Sequence, residues 1–264
     1  MPTMTAYATG TFCWPELGTT DQAAALKFYK DLFGWTSNDM PIPGGVYTML
    51  KQGKEDVGAA YTLMDDMVKQ GVPPNWMSYI ATDDVDATAE KVKKHGGQVV
   101  MGPMDVKPDG NHLVGRMAVC TDPEGATFSL WQAGSHCGAT LVNEHGALCW
   151  NELYADDPAK MSQFYQGVFG WGVQEMDMES GKYRIVMVGE RMNGGITEKP
   201  MPMPSNWLTY FAVNDTDKCM EQTKAGGGNV VMGPIDVPNI GRIAIMSDPQ
   251  GASFAVIKLG QPAT

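Results

Sequence analysis

Along the first hundred positions the apolar residues change period in a fixed order. Phe12-Cys13-Trp14-Pro15-Glu16-Leu17 is a short aromatic-rich run suited to a strand, and it leads to Thr19-Thr20-Asp21. Asp21 is placed to cap a helix, because Leu26, Phe28, Tyr29, Leu32 and Phe33 follow at helical spacing. Gly34 suits the left-handed residue that closes such a helix, and Trp35 leaves as a new strand. Residues 47–51 and 57–63 predict further strands. The order then repeats: a strand over 77–81, a helix from about 84 to 95 with Val85, Ala89 and Val92 on its apolar face, a stop at Gly96-Gly97, and strands over 98–101, 116–121 and 127–131. The last two strands meet through an Asp-Pro-x-Gly turn at Asp122. Each round is βαβββ. Single helices separating clusters of turn-linked strands predict an α+β protein with a mixed, curved sheet, not a doubly wound parallel one.

The whole pattern occurs twice. Cys13-Trp14-Pro15-Glu16-Leu17 returns as Cys149-Trp150-Asn151-Glu152-Leu153, and Phe33-Gly34-Trp35 as Phe169-Gly170-Trp171. Trp76 and Tyr79 return as Trp207 and Tyr210, Gly96-Gly97 as Gly227-Gly228, and Asp122-Pro123 as Asp248-Pro249. The offset falls from 136 to 131 to 126 along the chain, so the second copy has shorter loops and the same elements. The expected organisation is one domain over 1–135, a connector over 136–145 and a second, homologous domain over 146–264.

Charge narrows the function classes. Nineteen basic residues against 30 acidic ones give a net charge of -11, which argues against a nucleic-acid partner. No apolar run approaches the ~20 residues of a membrane span. Five cysteines without a CxxC pair, behind an N-terminus that lacks a signal-peptide pattern, read as reduced thiols in a cytoplasmic protein. Twenty scattered methionines point to adaptable packing rather than a soft-metal site.

Trp-x-Glu-Leu, an Asp that opens the helix, Phe-Tyr-x-x-x-Phe-Gly-Trp, Gly-Gly-x-Val and Asp-Pro-x-Gly together resemble the vicinal-oxygen-chelate (VOC) superfamily. That superfamily includes glyoxalase I, extradiol dioxygenases and bleomycin-resistance proteins. The resemblance covers nearly the whole chain in both halves and is strongest for tandem-domain, glyoxalase-like members. It implies paired βαβββ modules curling around a pocket, either within each half or by exchange between halves, and in catalytic members a divalent metal held by His, Gln or Glu. Carried over position by position, the metal-ligand sites fall on Trp14 and Trp150, Met77 and Leu208, and Ser129 and Ala255, none of which suits such an ion. His95, His112, His136 and His145 do not repeat, and His136 and Glu144 in the connector, which match residues common in tandem relatives, are expected to help dock the halves. The expectation is therefore no metal and no other cofactor.

What does repeat is a carboxylate. Side chains alternate along a strand, so Glu16 shares a face with Trp14, and Glu152 with Trp150. Cys13 and Cys149, of opposite parity, should face the helices. A carboxylate in an aromatic pocket can serve as general acid or base, or can be a structural ion pair. Arg116 and Arg242 are the natural counter-charges or clamps for an anionic ligand, and Tyr47, Tyr79, Tyr183 and Tyr210 are candidates for the pocket wall. The favoured reading is a metal-independent lyase or isomerase acting on a small oxygenated metabolite, with Glu16 and Glu152 as acid/base. Alternatives are a non-catalytic, drug-sequestering binding protein and, less favoured, a metal-dependent glyoxalase or extradiol dioxygenase. A chain carrying both copies of the fold is expected to act as a monomer or weak dimer with a small-molecule ligand.

Overall fold

The computed structural model describes residues 3–178 and 181–260. The first half runs β1 (Phe12–Thr19), α1 (Gln22–Phe33), β2 (Thr36–Ile42), β3 (Gly45–Gln52), β4 (Glu55–Thr62), α2 (Asp65–Lys69), β5 (Asn75–Ala81), α3 (Val85–Lys94), β6 (Gln98–Val106), β7 (Gly115–Thr121) and β8 (Thr127–Ala133). The second runs β9 (Leu148–Ala155), α4 (Pro158–Phe169), β10 (Gly172–Met178), β11 (Gly181–Val188), β12 (Arg191–Glu198), β13 (Asn206–Ala212), α5 (Thr216–Ala225), β14 (Asn229–Val237), β15 (Gly241–Ser247) and β16 (Ser253–Leu259). The four longer helices each begin at an aspartate cap. Asp21, Asp84, Asp157 and Asp215 each accept a backbone N–H three residues on, satisfying a donor that the first turn leaves unpaired. Gly34 and Gly170 end α1 and α4 at φ values of 75° and 72°, a region that disfavours side chains.

Each half is one eight-stranded mixed sheet, in the order β2-β3-β4-β1-β5-β8-β7-β6 and β10-β11-β12-β9-β13-β16-β15-β14. The two βαβββ modules of a half meet where β1 runs antiparallel to β5, and β9 to β13. Each cup is thus built within a half, not by exchange between halves.

The outer faces are glued across the halves. Phe164, Tyr165 and Trp171 of the second half share a buried cluster with Val92, Phe128 and Leu130 of the first. Phe28, Tyr29 and Phe33 of α1 reciprocally join Phe211, Phe254 and Val256. Within each cluster a phenol bridges the halves. Tyr29 Oη donates to Asp248 Oδ2 at 3.1 Å and accepts from Trp76 Nε1 at 2.9 Å. Tyr165 Oη donates to Asp122 Oδ2 at 3.1 Å and accepts from Trp207 Nε1 at 2.8 Å. Burial pushes both aspartyl pKa values up despite the backbone N–H groups they accept.

Two cysteine assignments need correction. Cys13 packs in the cup-side cluster with Trp14 and Ala139, and its carbonyl accepts the Ala139 N–H. A register irregularity between Phe12 and Trp14 breaks the alternation on which the expectation rested, and Phe12 is the residue that meets the helices. The same shift, at Leu148 and Trp150, places Cys149 with the second cup. Among the described residues no helix is long and apolar enough to cross a membrane.

Candidate active site

The central strand of each half lays its functional side chains on the concave face. On β1, Leu17 joins the outer cluster, while Trp14 belongs to the inner one and Glu16 shares its parity. Glu16 lies opposite Ala59 on β4 and Met77 on β5, and Trp14 lies opposite Tyr79. The parallel β5–β8 pairing then puts Ser129 beside Tyr79. The second half repeats the arrangement, with Glu152 between Gly195 and Leu208, and Trp150 opposite Tyr210 beside Ala255.

These residues form a hydrogen-bonded chain. Trp14 Nε1 donates to Tyr47 Oη at 3.2 Å, Tyr47 donates to Glu16 Oε2 at 2.7 Å, and Tyr79 donates to Glu16 Oε1 at 2.8 Å. In the second half Trp150 Nε1 donates to Tyr183 at 3.0 Å, Tyr183 to Glu152 Oε2 at 2.8 Å, and Tyr210 to Glu152 Oε1 at 2.9 Å. Tyr47 comes from the first module and Tyr79 from the second, so the carboxylate sits on the seam between modules. Neither glutamate forms an ion pair among the described residues, so the structural ion-pair alternative finds no partner here.

Electrostatics follow from burial. Desolvation raises the Glu16 pKa, and the two phenol hydrogen bonds only partly oppose it. The Tyr47 and Tyr79 phenols are held well above their usual range, first by burial and then by the negative charge of Glu16. Burial and Glu152 push Tyr183 and Tyr210 up in the same way. All four phenols therefore stay protonated and act as donors. The rest of the lining is soft and apolar: Met49, Met77 and Met117 in the first cup, and Met203, Met232, Ile243 and Ile245 in the second. Met104, opposite Met117, and Met176, opposite Tyr183, carry this lining to exposed edges.

Arg116 and Arg242 do not join the site. Arg116 has the strand parity of Ala118 and Cys120, the outer face, where it donates to Asp86 at the start of α3 and to Asp105 across β6. Arg242 is held in the same way by Asp217 and Asp236. The expectation of an arginine beside each glutamate fails because it located the residue along its strand without fixing which face it takes.

His136 seats the connector on the first cup and does not dock the halves. Its ring stands edge-on to Trp14, with centroids 4.7 Å apart, and its carbonyl accepts from Trp131 Nε1 at 3.0 Å. Nδ1 accepts the Gly138 N–H, and burial lowers the imidazole pKa.

Two residues that sequence reasoning passed over also belong to the cups. Tyr61 on β4 and Tyr154 on β9 each have a phenol pKa raised by burial and then by the nearby glutamate. Tyr154 was visible as the residue two beyond Glu152, hence of the same parity. Tyr61 has no such signal, because its partner on β1 is a glycine.

The donor set does not fit the divalent metal of catalytic VOC relatives. Trp, Met or Leu, and Ser or Ala occupy the carried-over positions, and both oxygens of each glutamate already accept a phenol. No group of three His, Cys, Asp or Glu side chains gathers among the described residues. The Ser129 hydroxyl, beside Tyr79 on the neighbouring strand, is buried without a hydrogen-bond partner.

Comparison with known proteins agrees with this architecture. A family model described as the Glyoxalase/Bleomycin resistance protein/Dioxygenase superfamily matches residues 11–130 and 147–256. The chain is 47% identical over 262 residues to a protein named "Putative glyoxylase CFP32" from Mycobacterium tuberculosis, with 98% of each chain covered. It is 34% identical over 275 residues to "Anthracycline biosynthesis protein DnrV" from Streptomyces peucetius, again with 98% of each covered. Among solved structures, the Mn(II)-bound glyoxalase from Novosphingobium aromaticivorans superposes with a TM-score of 0.66 at 15% identity, covering 96% of this chain and 84% of its own. That last likeness speaks to fold alone.

Proposed function

The chain belongs to the Glyoxalase/Bleomycin resistance protein/Dioxygenase superfamily, and from that premise we propose that it binds a small, neutral, oxygenated organic molecule in its cups and moves a proton on it without a metal ion. The observation that carries this reading is the duplicated chain Trp14–Tyr47–Glu16–Tyr79 and Trp150–Tyr183–Glu152–Tyr210. Burial makes the Glu16 carboxylate a stronger base than one in water. It can take a proton from a carbon beside a carbonyl and return it to the neighbouring carbon or oxygen. Such an isomerisation is balanced within the substrate and needs no oxidant. The four phenols spend their O–H groups on the carboxylates and so fix the position and orientation of each base. Because both arginines are engaged outside the cups, the ligand is expected to be neutral, which replaces the anionic ligand expected from sequence.

Methionine-rich walls suit flat, irregular ligands, because the thioether side chain adapts its shape. The name of the Streptomyces relative ties that protein to anthracyclines, which are planar oxygenated polyaromatics. This supports hydroxyanthraquinones as the first ligands to try. The methionine lining equally favours the second reading, a binding protein that shields such a molecule without converting it. Each hydrogen-bonded set comes from one half of one chain, so a monomer is the proposed working unit, with light scattering as its check.

One experiment separates the readings. The protein is incubated in D2O with a panel of neutral cyclic ketones that carry hydrogen on the carbon beside the carbonyl, hydroxyanthraquinones serving as binding probes only, and carbon-bound deuterium is followed by NMR. Catalysis is expected to show exchange that is lost in a Glu16→Gln, Glu152→Gln double variant still able to bind. Binding without exchange selects the sequestering reading. Exchange that survives the double variant refutes the assignment of the glutamates.

A further inference from the structure

We propose that each cup carries a third, ligand-facing phenol, Tyr61 in the first half and Tyr154 in the second, and that the two are one functional residue delivered by different strands. The inference rests on the proposed function of the cups and deepens it. The halves correspond at an offset of 136 through this region: Trp14 with Trp150, Glu16 with Glu152, Tyr47 with Tyr183. By the same offset Gly18 corresponds to Tyr154, and Tyr61 to Thr197. The residues have changed places. Gly18 and Tyr61 are register partners in the parallel β1–β4 pair, and Tyr154 and Thr197 in the parallel β9–β12 pair. One half therefore holds a tyrosine on the outer of two neighbouring strands, and the other half holds it on the central strand, at the same level and on the same face.

Space explains half of this. A Cβ at Gly18 would stand 3.1 Å from the Tyr61 hydroxyl and 2.8 Å from Leu63 Cδ2, so a large side chain on β4 requires none on β1. Space does not explain why the large residue is a tyrosine both times. Leucine or methionine, which line the rest of the cups, would fill the same volume. What both solutions keep is a hydroxyl beside the glutamate and its two phenols. Burial and then the charge of Glu16 raise Tyr61, and Tyr61 in turn raises Tyr47 and Tyr79; Tyr154 is likewise raised by burial and Glu152 and raises Tyr183 and Tyr210, but its hydroxyl also stands within hydrogen-bonding reach of Glu152 and Tyr210.

Position indicates the role. Among the described residues the Tyr61 hydroxyl donates to no protein group, and the Glu16 oxygens are already engaged by Tyr47 and Tyr79. Tyr61 also lines a cavity of about 470 Å³ between the β2–β3 turn and α2. Of Trp14, Glu16, Tyr47, Tyr79 and Tyr61, only Tyr61 lines this cavity. A ligand carbonyl or phenol oxygen entering toward Glu16 meets this O–H first, and the third phenol fixes which ligand oxygen faces the base.

The test uses 1,8-dihydroxyanthraquinone as probe, with calorimetric titration and near-UV circular dichroism as the fold check. Tyr61→Phe with Tyr154→Phe removes two hydroxyls and keeps the rings, so packing is preserved. Affinity is expected to fall about tenfold, the effect of one lost hydrogen bond per cup. Tyr61→Thr with Tyr154→Gly is expected to fall at least as far. Adding Gly18→Tyr and Thr197→Tyr, which exchanges the arrangements of the two halves, is expected to restore binding to within about twofold of the starting protein. Unchanged affinity in the double Phe variant, when Tyr47→Phe with Tyr183→Phe does weaken binding, overturns the third phenol and leaves the proposed function standing. Failure of the unmodified protein to bind any hydroxyanthraquinone overturns that ligand class, and this inference with it. Should the exchanged variant not fold, the double Phe result alone decides.

Discussion

Replacing Glu16 with glutamine should stabilise the protein at alkaline pH and do little at acid pH. The two phenol hydrogen bonds, at 2.7 and 2.8 Å, are of the charge-assisted kind, worth ~1.5–3 kcal/mol each when well solvated alternatives are absent. Were they decisive, the variant would lose several kcal/mol. Burial opposes them and is the larger influence, so the folded state holds a proton on Glu16 more tightly than the unfolded chain does. The sign follows directly. Below the ordinary carboxylate range both states are protonated and Glu16 contributes nothing. As pH rises, the unfolded chain releases its proton first, so stability falls until the folded carboxyl also ionises, and above that pH the penalty is constant. Glutamine cannot titrate. The gap between variant and parent should therefore open in the variant's favour from pH 4 to pH 8. Urea denaturation followed by far-UV circular dichroism at pH 4, 6 and 8 measures that gap. A variant less stable than the parent at pH 8, with the gap closing toward acid, would refute a carboxyl governed by desolvation.

Tyr29→Phe or Tyr165→Phe should each cost ~2–4 kcal/mol in chemical denaturation, because each leaves a buried aspartate and a buried indole N–H without the hydroxyl that joins them. Arg116→Gln and Arg242→Gln should leave hydroxyanthraquinone affinity within about twofold and change stability little, as befits partly exposed ion pairs on the outer face. A tenfold loss of binding in a calorimetric titration would return the arginines to the site. Excess Mn, Ni or Zn, or a chelator, should change neither probe affinity nor deuterium exchange, and stimulation by any one of these ions would overturn the metal-free reading.

The elements and their ends were legible because their signals are local. Asp21, Asp84, Asp157 and Asp215 announce helices through their own hydrogen-bonding geometry, and Gly34 and Gly170 end them through their own backbone freedom. Duplication made the cluster legible too, since Trp14, Glu16, Tyr47 and Tyr79 all have counterparts at fixed offsets. What failed depended on pairing between strands. Arg116 was placed beside the glutamate, yet the face of β7 is fixed by which residues meet α3. Cys13 and Cys149 were assigned by alternation, which one irregularity in each β1-type strand reverses. Tyr61 could not be found at all, because its significance lies in a glycine on a neighbouring strand more than forty residues away.

The two halves are copies of one fold, and the pattern of their divergence bears on function. The outer faces are locked into shared clusters, where Tyr29, Trp76 and Asp248 mirror Tyr165, Trp207 and Asp122 across the interface, so their repetition has a packing cause. The cups face away from that interface and have drifted: Met77 against Leu208, Ala59 against Gly195, Ser129 against Ala255. A lining under no constraint beyond apolarity should have lost its polar members first, since a buried carboxylate lowers stability and replacing it with a methionine would raise it. Both halves nevertheless keep the indole, the two phenols and the acid, with corresponding hydrogen bonds that agree within about 0.2 Å. They keep a third phenol even where the strand that supplies it has changed. Retention of Glu16, Glu152 and their donors through that much drift is the pattern that the proposed function accounts for.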